Sequence, residues 1–392
     1  MTPTARLSAA IELLDTVLSG VNAERALTNW ARGNRYAGSK DRRAIRDYVF
    51  DALRCLRSYA WLGGAGEATP TGRQVMIGAL RANGVDLDIL FSGERFSPEP
   101  LTDAERDLPP LDGAPRGVRL DTPDWLLPMF DAALGADADA VLAKCRERSA
   151  VFLRVNRRKT TMEQAIEMLA DDDIVAARHG LSEGALIVTE GARAVARSLA
   201  YLDGAVEVQD AGSQAIINTL PIEDGQSVLD YCAGGGGKAL ALACKADVSM
   251  TAHDIDPSRM QDIAPRSERA GVTIRTVGVA QLDDTYDLVV ADVPCSGSGS
   301  WSRAPQAKWA LTPERLTELT EIQAQILNEV APRVAKGGVL GYMTCSLFEA
   351  ENGDQITGFL ARHPEFSVEV TRLITPLEGA DGFFVCVLRK SA

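Results

Sequence analysis

The chain has 392 residues, a formal net charge of −13, 46% hydrophobic residues and 24% charged ones. That balance fits a globular protein long enough for two or three domains. It holds no apolar run near the roughly 20 residues that cross a bilayer. The start, Met1-Thr2-Pro3-Thr4-Ala5-Arg6, lacks the basic-then-apolar layout of a secretory signal, so the expectation is a cytoplasmic protein, a monomer, with no membrane partner.

Residues 4–62 show helical spacing: Leu7, Ile11, Leu14 and Val17, then Tyr48, Ala52, Cys55 and Tyr59. Ser39 or Asp41 can cap the second of these long helices. The stretch is basic, with Arg32, Arg35, Lys40, Arg42, Arg43, Arg46, Arg54 and Arg57, whereas Asp86 to Asp139 is acidic. A basic end on an acidic body can meet phosphate locally, or it is a solvated helical face; both readings stand. Helical pattern continues through Gly72–Ala82. Residues 93–122, rich in Pro, Asp and Gly, read as a linker or extended loop, and helices resume near Pro123–Leu134 and Ala138–Arg148.

Near residue 150 the pattern changes. Val151–Val155, Ile174–Arg178 and Ala185–Val188 read as strands around a helix at Thr161–Ala170. From about residue 206 strands alternate with helices, the mark of a parallel sheet. Strands fit Ser227–Tyr231, Ser249–His253, Thr273–Val277, Asp287–Ala291 and Val339–Met343. Helices fit Lys238–Lys245, Ser258–Ala270, Pro313–Ala335 and Asn352–Arg362. Phe366–Val370 and Phe383–Leu388 close the chain as an antiparallel pair.

The seven cysteines are odd in number and scattered, which argues for free thiols. There is no C-x-x-C pair and His179, His253 and His363 lie far apart, so no metal site is expected. Cys55 and Cys244 sit inside helical pattern and read as core. Cys295 and Cys345 do not: each follows an apolar strand, in Asp292-Val-Pro-Cys-Ser and Thr344-Cys-Ser. In an open α/β sheet, ligands bind outside the carboxyl ends of parallel strands, so two thiols there, one beside Asp292, point to covalent chemistry at a planar electrophile.

A third strand end carries Cys232-Ala233-Gly234-Gly235-Gly236-Gly237-Lys238. Glycine there lets backbone approach a ligand and leaves helix-start N–H groups free. A dinucleotide, a phosphate or S-adenosylmethionine would suit it; a P-loop is excluded because Ala239 follows Lys238. Asp254, ending the next strand, can accept from ribose hydroxyls, with Asp256 capping the helix at Pro257.

Asp292-Val-Pro-Cys-Ser-Gly-Ser-Gly with Arg303-Ala-Pro-Gln-Ala-Lys308-Trp309 closely resembles the fourth motif of the Nop/Sun family of RNA cytosine-5 methyltransferases. Thr344-Cys-Ser with Glu351-Asn352 and Gln355-Ile356 resembles the sixth. Val208–Gln214 matches the segment before the cofactor loop, and Gly382-Phe383-Phe384 the closing strand. The front end is similar to the NusB-like domain of the bacterial Sun (Fmu, RsmB) branch, which methylates small-subunit ribosomal RNA.

The resemblance implies an α/β chain with three parts. Residues 1–148 would be a helical NusB-like RNA-binding domain with linker, 149–205 a small α/β RNA-binding module, and 206–392 a Rossmann-like doubly wound methyltransferase domain. The sheet would be mostly parallel with an antiparallel last strand. It implies methyl transfer from S-adenosylmethionine to cytosine C5 in RNA, ribosomal RNA being the expected partner. By motif match Cys345 is the nucleophile at C6, Asp292 holds the cytosine edge near N3, and Cys295 helps release product. Cys232–Lys238, Asp254 and Asp292 would seat the cofactor; Arg303 and Lys308 would approach RNA phosphate or the catalytic loop, or be ordinary surface charge.

Two positions depart from the family pattern. Gly234 and Gly235 stand where the family has Ala-Pro, which loosens the turn by about 1 kcal/mol of ordering cost. Gly278-Val279-Ala280-Gln281 lacks the acidic residue expected on the adenine side, with Asp283 or Asp284 as substitutes. They motivate an alternative, a catalytically weak or inactive RNA-binding descendant, and the need for an additional factor. A thiol redox enzyme ranks last, because close Cys spacing is missing.

Overall fold

A computed structural model describes residues 1–66 and 68–392. They form two compact units: 1–148 together with 301–310, and 149–300 together with 311–392.

The first unit is helical. Thr2 caps Pro3–Leu18, which buries Leu7, Leu14 and Val17 as the spacing requires, and leaves Ile11 partly covered. Ala23–Gly33, Ser39–Arg54, Leu56–Leu62 and Gly72–Ala82 complete its core. A Cβ at Gly78 would stand 1.8 Å from the Tyr59 carbonyl oxygen, so only glycine lets these two helices meet backbone to backbone.

Residues 93–122 are more built than a linker. They contain short helices at Asp103–Arg106 and Arg116–Arg119 and are anchored by Asp121. That fully buried carboxylate accepts from the Ser58 N–H (2.8 Å) and hydroxyl (2.7 Å) and pairs with Arg146 at 2.8 Å. Polar anchors of this kind leave no hydrophobic period to read in sequence.

The second unit carries two sheets. The smaller has the order β2-β3-β1-β4, antiparallel throughout: β1 Val151–Val155, β2 Val175–Arg178, β3 Ala185–Glu190 and β4 Val206–Val208. One face packs on helix Met162–Ala170 through Leu153, Val155, Leu169 and Leu186. On the other, Phe152 and Ala185 meet Ala211, at the start of helix Ala211–Asn218. This sheet therefore shares a compact unit with the larger sheet, whereas the sequence suggests a separate module ending at residue 205.

The larger sheet has the order β10-β11-β9-β8-β5-β6-β7. Its strands are β5 Ser227–Asp230, β6 Ser249–Ala252, β7 Ile274–Thr276, β8 Tyr286–Asp292, β9 Val334–Thr344, β10 Phe366–Ile374 and β11 Phe383–Lys390. β9, β8, β5, β6 and β7 run parallel; β11 is antiparallel to both its neighbours, β9 and β10. Val228, Leu229, Leu288, Val289, Val290 and Leu340 are fully buried, as parallel strands covered on both faces must be.

Two helices are shorter than their patterns. Pro257–Met260 is 3-10, and the α-helix begins at Ile263, which puts Pro265 in its first turn. The helix from Pro313 stops at Val330, since β9 already begins at Val334. Among the described residues no helix is long and apolar enough to cross a membrane, and no His/Cys/Asp/Glu group could hold a metal.

Candidate active site

Strands β5, β6, β8 and β9 end at one edge, around a cavity of about 1190 Å³. Its lining gathers Cys232 to Gly235, Gly237, Lys238, Asp254, Asp292, Cys295 and Cys345. Thus the structure brings together nearly all the residues singled out as catalytic or cofactor-binding.

The turn after β5 is shaped by glycine at two positions. Gly234 has φ +49° and Gly236 φ +78°; a Cβ on Gly236 would press within 2.7 Å of Ile263. The helix Gly237–Lys245 starts directly after. Asp254, nearly fully buried, accepts from the Gly234 N–H at 2.9 Å and the Asp256 N–H at 3.0 Å, and pairs with Arg259 at 3.1 Å. Asp256 caps the following turn by accepting from the Ser258 N–H at 3.0 Å. Arg266 holds the turn from outside, donating to the Gly235 carbonyl.

Asp230, the last residue of β5, has both carboxyl oxygens buried and without a hydrogen-bond partner. Burial, then the nearby Asp292 charge, pushes its pKa up to about 7, against the pull of Lys238. Sequence reasoning missed this residue; its signal is an acid closing an apolar strand immediately before a glycine turn. Ile255 and Val279 were also missed: both line the cavity and are exposed apolar side chains.

In the sequence Lys238 reads as part of the cofactor turn. Its ammonium lies 2.5 Å from Asp292 Oδ2, a charge-assisted hydrogen bond joining the β5 turn to the end of β8.

The two cysteine loops meet. Cys295 Sγ and Cys345 Sγ are 3.4 Å apart, and both residues are half-buried. Parallel pairing of β8 with β9 sets this, since Asp292 stands opposite Met343 and the Val293 N–H donates to the Met343 carbonyl at 3.1 Å. The hydrogen bond with Cys295 holds the Cys345 thiol below its ordinary range; burial and Asp292 oppose this, and the Lys238 charge adds to it. Cys295 is driven up by that same bond and by burial. Cys232, a third thiol in the cavity, is also driven up, by burial and by Asp230. Of the three thiols, only that of Cys345 is shifted toward easier ionisation.

Arg303 and Lys308 lie in the segment 301–310, which belongs to the helical unit. The Lys308 side chain is buried, donates to the Arg54 carbonyl at 3.4 Å and lies over the Trp309 ring. Trp309 and Arg54 fix the same segment: the Trp309 indole donates to the Leu53 carbonyl at 2.7 Å and Arg54 to the Ser302 carbonyl at 2.8 Å. Arg303 is exposed.

A doubly wound sheet with a glycine turn after one strand and an acid after the next is the Rossmann-like methyltransferase fold. The crystal structure of PH0851 superposes with a TM-score of 0.75 at 21% identity, covering 100% of this chain and 99% of that one. A methyltransferase homologue protein from Pyrococcus horikoshii gives 0.62 at 21% identity, covering 70% and 97%.

The family model described as "16S rRNA methyltransferase RsmB/F" matches residues 217–387, and that of the "Methyltr_RsmF/B-like, ferredoxin-like domain" residues 122–195. A "Ribosomal RNA small subunit methyltransferase B" of Yersinia pestis is 33% identical over 288 residues, 68% of this chain and 66% of the relative. A "Probable ribosomal RNA small subunit methyltransferase B" of Bacillus subtilis is 30% identical over 299 residues, with the same coverage. The chain belongs to the RsmB/F methyltransferase family, the bacterial Sun branch of the Nop/Sun enzymes. The aligned stretch spans just under two thirds of these curated relatives' length.

Proposed function

We propose that this protein methylates C5 of a cytosine in RNA, with ribosomal RNA as substrate and S-adenosylmethionine as methyl donor. One observation carries the reading. Two sulfurs 3.4 Å apart share a cavity with a glycine turn and the carboxylates of Asp254 and Asp292.

Cytosine C5 is a poor nucleophile. Addition of the Cys345 thiolate to C6 forms a carbon–sulfur bond and shifts the ring electrons toward C5. Asp292, oriented by Lys238 at 2.5 Å, faces the N3 edge and stabilises the adduct by a proton or hydrogen bond there. After methylation, loss of the C5 proton returns the electrons and breaks the Cys345–C6 bond. Cys295 is placed for that step, as or through the base that takes the proton. The target base must be unstacked, because a stacked C6 face is closed to a thiol.

The cavity fits the donor. Asp254 lies where ribose hydroxyls could replace Arg259 at its carboxylate, and the turn 232–238 brings backbone to the ligand. Asp230 contributes buried oxygens still in need of donors, and Ile255 and Val279 offer apolar surface for a planar ring. When bound, S-adenosylmethionine supplies an electrophilic methyl group. The helical unit and the small sheet are assigned to RNA binding.

The test is methyl transfer to small-subunit ribosomal RNA, read by bisulfite sequencing. Cys345→Ala should abolish the new 5-methylcytosine; undiminished transfer would remove the assignment. The rival reading, a non-catalytic RNA-binding descendant, draws on Gly234 and Gly235. It would be favoured if calorimetry detected no binding at millimolar S-adenosylmethionine.

A further inference from the structure

Behind the two sulfurs lies a carboxylate that the proposed chemistry does not use. Glu351 is fully buried. Its Oε1 accepts from the Ser296 N–H at 2.7 Å and the Gln323 amide at 3.0 Å. Its Oε2 accepts from the hydroxyls of Ser296 (2.5 Å) and Ser346. Ser296 follows Cys295 and Ser346 follows Cys345, so one side chain ties both cysteine loops. Gln323 also donates to the Pro294 carbonyl at 2.9 Å, and the Tyr342 hydroxyl fixes Glu351's own carbonyl at 2.6 Å. Every donor to the carboxylate is neutral. A buried anion is tolerated on such terms only where its hydrogen bonds are complete.

The two cysteine loops do not meet the carboxylate equally. The Cys295 loop gives Glu351 a backbone N–H as well as a hydroxyl, whereas the corresponding N–H of Ser346 goes to Thr344 Oγ1 at 3.1 Å. Glu351 is among the charges that drive the Cys295 thiol up. Cys345 instead faces Lys238 and Asp292. Tyr342, also beside Glu351 and Cys295, is held protonated by burial.

We propose that Glu351 is a positioning residue for the cysteine pair: it pins both loops, and its charge keeps the proton between the sulfurs on Cys295, leaving the thiolate on Cys345. This rests on the methyltransferase reading for its consequence in turnover, but the thiol chemistry can be read without RNA or cofactor.

The experiment treats the full chain with limiting iodoacetamide at pH 7 and quantifies the labelled cysteines by peptide mass spectrometry. The native protein should label Cys345 in preference to Cys295. Glu351→Gln keeps the shape and removes the charge, and should shift the Cys345-to-Cys295 ratio about tenfold toward Cys295, as one pKa unit requires. Glu351→Ala should free both loops and lower kcat about 100-fold, the scale of a misplacement of about 1 Å, with KM for RNA within about threefold. Gln323→Leu removes one donor and keeps the charge, so kcat should fall several-fold with Cys345 still preferred; this variant carries the test if Glu351→Ala does not fold. A native labelling ratio in Glu351→Gln would overturn the proposal, as would native kcat in Gln323→Leu. A ratio that shifts as expected in a protein that methylates no cytosine would support the thiol pairing and count against the proposed activity.

Discussion

The cysteine loops and the glycine turn line the same cavity but are built in opposite ways. Around Cys295 and Cys345, buried side chains satisfy the backbone from several directions: Glu351 takes the Ser296 N–H, Gln323 donates to the Pro294 carbonyl, and Asn352 donates to the Ser346 carbonyl at 2.9 Å. The Gly299 N–H bonds the Cys345 carbonyl at 2.9 Å, and the Leu347 N–H bonds Ser298 Oγ at 2.8 Å. The turn 232–238 has fewer such ties: buried Asp254 accepts from the Gly234 N–H at 2.9 Å and Gln209 donates to the Gly237 carbonyl at 3.2 Å. Two arginines hold it, Arg259 through Asp254 and Arg266 directly, and Arg259 is largely exposed. Covalent attack needs atoms placed to within fractions of an ångström. A cofactor that must enter and leave needs a rim that can move. Under the proposed function, this difference in construction would match a difference in task.

Four perturbations sharpen that contrast, in descending size. Loss of the Cys345 sulfur should remove methyl transfer altogether, with cofactor affinity measured by calorimetry unchanged within about threefold; a large change in affinity would mean the two regions are one unit. Gly236→Ala strains a left-handed position and drives a methyl into Ile263. At about 1–3 kcal/mol for such strain, cofactor affinity should fall roughly tenfold to a hundredfold, with Cys345 alkylation at its native rate.

Asp230→Asn should stabilise the cofactor-free protein in a pH-dependent way. Its folded-state pKa, about 7, lies above the ordinary carboxylate value. The folded protein therefore binds the proton more tightly than the unfolded chain, and stability is lost as pH rises from about 4 through 7. Asparagine removes that loss. Urea melts at pH 5 and 8 should show its advantage growing with pH, to an amount on the order of 2–4 kcal/mol. An equal advantage at both values would contradict the assignment. The smallest effect is expected from Gly235→Pro. A Cβ there meets only the end of the Arg266 side chain, at 3.3 Å, and stiffening is worth about 1 kcal/mol. Calorimetry should show severalfold tighter binding.

How much of the molecule is legible in its sequence depends on the kind of signal each feature leaves. β5, β8 and β9 are legible because parallel strands buried on both faces are continuous apolar runs. The cysteines stand out because Pro294 and the Ser-Gly run after Cys295 make no core environment. Helix Ala211–Asn218 is hard to see, although Asp210 caps it, because its residues are small and mostly buried all round and show no amphipathic period. The Lys238–Asp292 pair joins residues 54 positions apart, and Glu351 acts on a loop 55 positions away. Such contacts are fixed by strand order, which no local pattern carries. The segment 301–310 shows the same limit: Lys308 sits in a motif that follows Cys295 in the chain, and only tertiary packing buries it in the helical unit.

In the proposed reaction Cys345 bonds to the pyrimidine and Cys295 helps break that bond. Cys295→Ala, incubated with substrate RNA and S-adenosylmethionine, should accumulate a protein–RNA species that survives a denaturing gel, and the double variant with Cys345→Ala should not. A Cys295→Ala protein that turns over at the native rate with no retained RNA would contradict the account.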